Sequence, residues 1–178
     1  MSTAEPLGLK RGEVVVVPHD PRWHTLFTRT SEELHAALGA SILAVHHVGS
    51  TAVSGLCAKP VLDVLVSISD FARGVDLVPQ LAALGYEFRP AEETRDRHFF
   101  RHMNGTVRSQ HLSLAEPTSR HHKITLAFRD ALRADPQLAQ AYADLKLELA
   151  RRFPRDRPAY IEGKSGFIAD VLAKAGLE

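Results

Sequence analysis

Two short, nearly continuous apolar runs, Ile42–Val48 and Val61–Ile68, flank a loop rich in glycine, serine and proline, GSTAVSGLCAKP. Nothing else constrains the fold as strongly. Runs of this length and β-branched content read as strands buried on both faces. The second run carries Asp63 in its interior. An ionised carboxylate buried without a partner costs several kcal/mol, on the order of what holds a domain folded. Asp63 must therefore meet a cation, a set of hydrogen-bond donors, or solvent at a cleft.

Around this pair the chain reads as an α/β (α+β) protein. Gly12–Pro18 is a β-branched run expected to form an edge strand. Asp20-Pro21 starts a helix, with Trp23, Phe27, Leu34 and Leu38 on one face and Gly39 at its end. Asp70 caps a segment running to Leu84, where Pro79 restricts regular helix to the latter half. Tyr86–Arg89 reads as a strand. His98–Met103 and Val107–Ala115 read as a hairpin turning at Asn104-Gly105. Helices then follow over Ser119–Ala134, from Asp135-Pro136 through Phe153, and over about Gly166–Ala175. The expected architecture is a mixed sheet with helices on one side and a helical C-terminal half, in one domain over residues 1–178.

Composition narrows the function classes. The apolar share, 44 %, is enough for a core without staples. The single cysteine, Cys57, excludes an internal disulfide and a cysteine-based zinc cluster. It fits a reducing, cytoplasmic location, as does an N-terminus without a signal-peptide pattern. No apolar run approaches the roughly 20 residues that span a bilayer, so no membrane partner is expected. A net charge of +1 and an aromatic share of 7 % argue against nucleic-acid binding.

The chemistry concentrates at the Gly49-Ser50 turn. Such a turn presents backbone N–H groups and a hydroxyl to a phosphate, with Asp63 on the next strand. The expected ligand is phosphorylated, with Mg²⁺ held at Asp63. The alternative is an ordinary turn with a strand aspartate that anchors a loop. Lys59, just before Pro60, would bind a phosphate or pair with Asp63, or else is an ordinary solvated loop lysine. Arg97, His98 and His102 form a basic stretch for an anionic ligand, or else Arg95–Arg101 is the exposed face of an edge strand. His111 is a candidate ligand, proton donor or phosphate contact, or a hydrogen-bonded strand histidine. Tyr142 and Trp23 belong to apolar stripes and read as core. Arg129 reads as paired with Asp130 or another surface acid.

The run from His47 to Val66, H-V-G-S-T-A-V-S-G-L-C-A-K-P-V-L-D-V-L-V, resembles the signature of the GrpB family. Fragments in the same order extend the resemblance along nearly the whole chain: Pro21–Trp23, His98-Phe99-Phe100, Gln110-His111-Leu112, Phe128-Arg129-Asp130, Tyr142 to Lys146, and Tyr160 to Lys164. The resemblance implies a sheet of nucleotidyltransferase type. In that superfamily a Gly-Ser turn precedes a strand with two carboxylates at alternate positions, which hold Mg²⁺ against a triphosphate. Here Asp63 fills one position, and Val61 or Leu65 stands at the other. Gln110 and Ser113 replace histidines of the family segment.

The resemblance thus implies Asp63 and His111 as catalytic residues and Asp63 as the metal ligand. It implies Gly49, Ser50, Thr51, Lys59, Arg97 and Lys164 as ligand-binding residues, with Arg129 and Lys146 joining Lys164 to close over phosphates. A nucleotide or other phosphorylated small molecule is the expected partner, with nucleotidyl transfer to an unidentified acceptor as the reaction. The competing expectation is a non-catalytic module that assists folding or assembly of dephospho-CoA kinase, to which similar chains occur fused.

Overall fold

The computed structural model describes residues 7–10 and 12–177. Residues 1–6 and 11, part of the stretch expected to lack an export signal, lie outside them, as does residue 178 at the end of the expected domain. Five strands, β1 (Ala44–Val48), β2 (Leu62–Ser67), β3 (Tyr86–Phe88), β4 (His98–Asn104) and β5 (Val107–Ala115), form one sheet in the order β1-β2-β5-β4-β3. Only β2 and β5 pair in parallel; the other neighbours are antiparallel. Among the described residues five α-helices accompany the sheet: α1 (Arg22–Leu38), α2 (Val78–Ala83), α3 (Arg120–Ala134), α4 (Pro136–Arg152) and α5 (Arg157–Lys174).

Side-chain alternation on β2 and β5 divides the molecule. Val64, Val66, Leu112 and Leu114 point to one face and join Leu34 and Leu38 of α1 and Leu81 of α2 in the largest core cluster. Leu65 and Ala115 point the other way and meet Val48 and Leu126 of α3. Helices therefore cover both faces, not one as expected, because the central strands are apolar on both. Asp63 and His111 face each other in register across the β2–β5 pair, on the α3 side. Both were expected near one site, and strand pairing brings them together.

At α1 the expected Asp20 cap shifts by one residue: Pro21 occupies the cap position without a side-chain cap, and the helix starts at Arg22, whose N–H donates to Asp20 Oδ1. The helix ends at Ser119, Asp135 and Gly39 follow the sequence. Ser119 Oγ accepts from His122 N–H, Asp135 Oδ1 from Gln137 and Leu138 N–H, and Gly39 ends α1 with φ of 51°. Pro79 confines the regular part of its segment to α2, behind a 3₁₀ stretch over Ala72–Leu77, as expected.

Several elements differ from expectation. Gly12–Pro18 is no sheet edge: Val17 exchanges both backbone hydrogen bonds with Ala58, and Val14 N–H donates to Pro154 O. The segment is a strap from the β1–β2 loop to the helical half, where Val14 packs on Leu149 and Tyr160. β1 is an edge strand, so Ala44, Val45 and His46 are only half-buried. β4, which takes up the end of the Arg95–Arg101 stretch, lies inside the sheet, so that stretch is not the face of an edge strand. The hairpin turns at Gly105-Thr106, one residue later than expected, since Asn104 still pairs with Val107. The last helix begins at Arg157, not near Gly166, behind an Asp156 cap whose Oδ1 accepts from Ala159 N–H. Lys164 is thus mid-helix.

Candidate functional site

The β1–β2 loop and the C-terminal helices enclose a cavity of about 300 Å³ beside Asp63. Each wall has a local cause. Gly49 closes β1 with φ of 70° and ψ of −173°, a conformation open essentially to glycine alone. A Cβ there would lie 2.4 Å from Asp63 Oδ2, so the turn rests directly on the carboxylate. Thr51 lines the cavity but is 3 % exposed, and its hydroxyl bonds His47 Nε2 at 2.9 Å. It holds the turn's shape from beneath. His47, pushed by burial down to about 4, is the neutral partner.

The opposite wall comes from α4 and α5. On α5, Arg157, Tyr160, Ile161, Lys164 and Ile168 follow helical spacing and all line the cavity. On α4, Tyr142 and Lys146 are one turn apart. Lys146 is 2 % exposed, and its ammonium donates to Ser50 Oγ at 2.9 Å and to the Cys57 carbonyl. Lys59 and Lys164 both stand over the Tyr160 ring, at 5.4 and 4.7 Å from its centroid.

Asp63 is the acidic side chain in this cavity wall, and it remains 41 % exposed. Burial pushes its carboxyl up, but the hydrogen bond and charge of His111, with the charges of Lys59 and Lys164, outweigh that and hold it below its ordinary value. His111 Nδ1 donates to Asp63 Oδ1 at 2.9 Å. Burial holds His111 below its ordinary value against the pull of Asp63, with Arg108 and Lys59 adding to burial. An ionised Asp63 accepts only, so the ring proton sits on Nδ1 and the lone pair on Nε2. Nε2 is buried without a protein partner.

Lys59, Lys146, Lys164 and Arg157 thus surround a single carboxylate. Burial lowers Lys59 to about 8, with Lys164 adding to the effect, and likewise lowers Lys146 to about 8. Lys164 is lowered too, first by burial. Unbalanced cations in a partly dry cavity favour a bound anion, which would offset their mutual repulsion. The side chains do not by themselves fit a resident metal. Among the described residues no group of three or more His, Cys, Asp or Glu is placed to hold one. Val61 and Leu65, beside Asp63, are both buried and carry no ligand atom.

Of the residues singled out in the sequence, Gly49, Ser50, Thr51, Lys59, Asp63, His111 and Lys164 meet at this cavity. Arg97 does not. It lines a neighbouring cavity, where its Nη2 donates to the Glu92 carbonyl and its guanidinium lies 4.8 Å from the Phe99 ring centroid. The expected basic stretch is also divided. His98 is buried against Phe71 and bonded to Glu93 and the Phe71 carbonyl, and His102 bonds Ser109 Oγ on the sheet. Arg129 pairs with Asp130 and donates to the His47 carbonyl, so it braces β1. Arg157 and Tyr160 were missed as site residues. Their signal was present in Asp156-Arg157-Pro158, a cap and first-turn proline like Asp135-Pro136.

The GrpB protein family model matches residues 13–174. The chain belongs to the GrpB family. It is 39 % identical to the UPF0157 protein PA4798 of Pseudomonas aeruginosa over 91 % of this chain and 67 % of that protein. The crystal structure of the conserved protein GrpB from Enterococcus faecalis superposes with a TM-score of 0.83 and 29 % identity, covering 90 % of this chain and 96 % of the other. A dephospho-CoA kinase of Mycolicibacterium paratuberculosis is 30 % identical over 94 % of this chain, which spans only 47 % of that protein. The Cid1 poly(U) polymerase superposes over 74 % of this chain and 45 % of its own with a TM-score of 0.44 and 15 % identity, too weak a likeness to carry a function. No helix among the described residues is long and apolar enough to cross a membrane.

Proposed function

We propose that this GrpB protein binds a nucleotide or other phosphorylated small molecule between the Gly49-Ser50 turn and α5. The observation that carries the proposal is the convergence of Lys59, Lys146, Lys164 and Arg157 on a cavity with one carboxylate. Phosphate oxygens accept from the lysines and Arg157, and a ligand hydroxyl donates to the exposed Asp63 carboxylate. Mg²⁺ belongs to this reading only as an ion carried in on the ligand's phosphates, with Asp63 as its protein carboxylate. Nucleotidyl transfer would need His111 or the ligand to do what a second carboxylate does elsewhere, so binding is the core of the proposal.

Calorimetry with ATP, ADP and pyrophosphate, with and without Mg²⁺, tests it. Binding that Lys164→Gln weakens by about tenfold, the worth of one charge-assisted contact, is expected. The absence of binding by all three would sink the proposal. Release of pyrophosphate from labelled NTP would extend it to catalysis.

A second reading has its own support. A protein named dephospho-CoA kinase carries a segment similar to nearly all of this chain. On that reading this GrpB protein is an accessory module for such a kinase. Co-purification with a separately encoded dephospho-CoA kinase, unaffected by Lys164→Gln, would favour it over ligand binding.

A further inference from the structure

A second cavity, of about 310 Å³, adjoins the first, and Gly49, Asp63, His111 and Arg157 line both. Its remaining wall holds Arg97, His121, Ser113, Thr125 and Glu92. Glu92 is already committed, accepting from Arg101 at 2.6 Å and from Arg89 at 3.3 Å. The Nε atoms of Arg97 and Arg157 are buried without a protein partner. Arg108, 5 % exposed and lining neither cavity, also has an Nε and an Nη2 without a protein partner. Arg108 feels the charges of Arg157, Arg101, Asp63 and Glu92. The β-bulge between His102 and Met103 accounts for its position: Ser109 bonds back to His102, while Arg108 joins the His111 side of the sheet. Buried guanidinium N–H groups without acceptors are costly, and an anionic ligand removes the cost.

We propose that the second cavity is an anion subsite, and that the two cavities together take one ligand carrying phosphates on both sides of a hydroxyl-bearing sugar. This rests on the reading of the first cavity as a phosphate site. The charge order along the pair supports it. Lys59, Lys146 and Lys164 line only the first cavity, Arg97 lines only the second, and the Asp63 carboxylate lines both. A carboxylate repels phosphate and accepts from hydroxyls, so an uncharged, hydroxylated middle fits opposite Asp63. Arg157, shared by both walls, can serve either end.

The test is calorimetry on the full chain with adenosine 5′-monophosphate and adenosine 3′,5′-bisphosphate. The bisphosphate is expected to bind about tenfold tighter or more, one charge-assisted contact's worth. Arg97→Gln should erase that advantage and leave the monophosphate affinity within about twofold, because Arg97 does not line the first cavity. Thr125→Leu, which fills the second cavity without removing charge, should do the same and stands in if Arg97→Gln fails to fold. Lys164→Gln should weaken both ligands. Equal binding of the two nucleotides, or equal weakening of both by Arg97→Gln and Thr125→Leu, would overturn the subsite and leave the first cavity's role intact. Failure of both nucleotides to bind the unaltered protein would overturn the subsite, while the reading of the first cavity stands or falls on ATP, ADP and pyrophosphate.

Discussion

Gly49 and Asp63 are in contact closer than any side chain at position 49 would permit: a Cβ there would sit 2.4 Å from Oδ2 and 3.0 Å from the Asp63 Cβ. Two costs therefore meet in Gly49→Ala. The backbone at φ 70° and ψ −173° is strained for any residue with a Cβ, and the methyl overlaps the carboxylate. The expected loss is about 3 kcal/mol, read as a drop in the urea midpoint at constant slope. Only the overlap depends on Asp63. Gly49→Ala in an Asp63→Ala background should therefore cost about 1 kcal/mol less. Equal costs in both backgrounds would show that the turn does not rest on the carboxylate.

The contact between His111 Nδ1 and Asp63 Oδ1 fixes a tautomer as well as a position. Proton–nitrogen correlation spectra should show the neutral ring protonated on Nδ1. Asp63 raises the imidazole's pKa against burial, so Asp63→Asn should move it further below its ordinary value. An increase on Asp63→Asn would contradict the geometry.

What could be read from the sequence, and what could not, divides along physical lines. The strand pair around Gly49 was legible because continuous apolar runs and a small-residue loop have few other uses. Asp63 stood out because a carboxylate in such a run needs a reason. Its pairing with His111 required strand register across β2 and β5, which no local pattern encodes. The first turns of α5 were hidden by Gly163 and Gly166, which look like breakers. Gly163 is there for a different reason: a Cβ on it would meet Leu149 Cδ2 at 2.5 Å, so its absence lets α5 lie close on α4. Losing those turns from the reading cost Arg157 and Tyr160, two of the five α5 residues in the wall opposite Asp63. The bulge that turns Arg108 toward His111 was equally invisible, since an extra residue in one strand leaves no mark in alternation.

The Gly163–Leu149 contact gives a sign reversal to look for. Alanine is a better helix former than glycine by about 1 kcal/mol, yet the added methyl presses on a Leu149 side chain that is 4 % exposed. Gly163→Ala should destabilise the protein by about 1 kcal/mol through overpacking. In a Leu149→Ala background the room exists, and the same change should stabilise by up to about 1 kcal/mol. Denaturant melts of the four proteins check it. Stabilisation in both backgrounds would mean the helices do not depend on the glycine.

The buried lysines set opposite pH trends for ligand binding and for folding. Lys59 and Lys146 titrate at about 8 in the folded protein, held down first by burial, against an ordinary value of 10.5. Below the folded values both are charged in either state, and the cost of burying that charge is fully present. Between about 8 and 10.5 the unfolded chain binds more protons at these positions than the folded one, so their contribution to stability rises with pH. Phosphate binding runs the other way, since the ammonium groups that attract it are lost over the same range. A bound nucleotide stabilises the charged lysines, so the fall in affinity should begin near the ligand-free value of about 8 and level off only above the higher pKa of the bound state. Lys146→Met removes one of the two groups and should flatten both trends, measured as the difference from the unaltered protein in melting midpoint and in calorimetric affinity across the window. Affinity that holds constant through the window, with a folding curve that Lys146→Met leaves unchanged, would show that these amines are not the charged floor of the cavity.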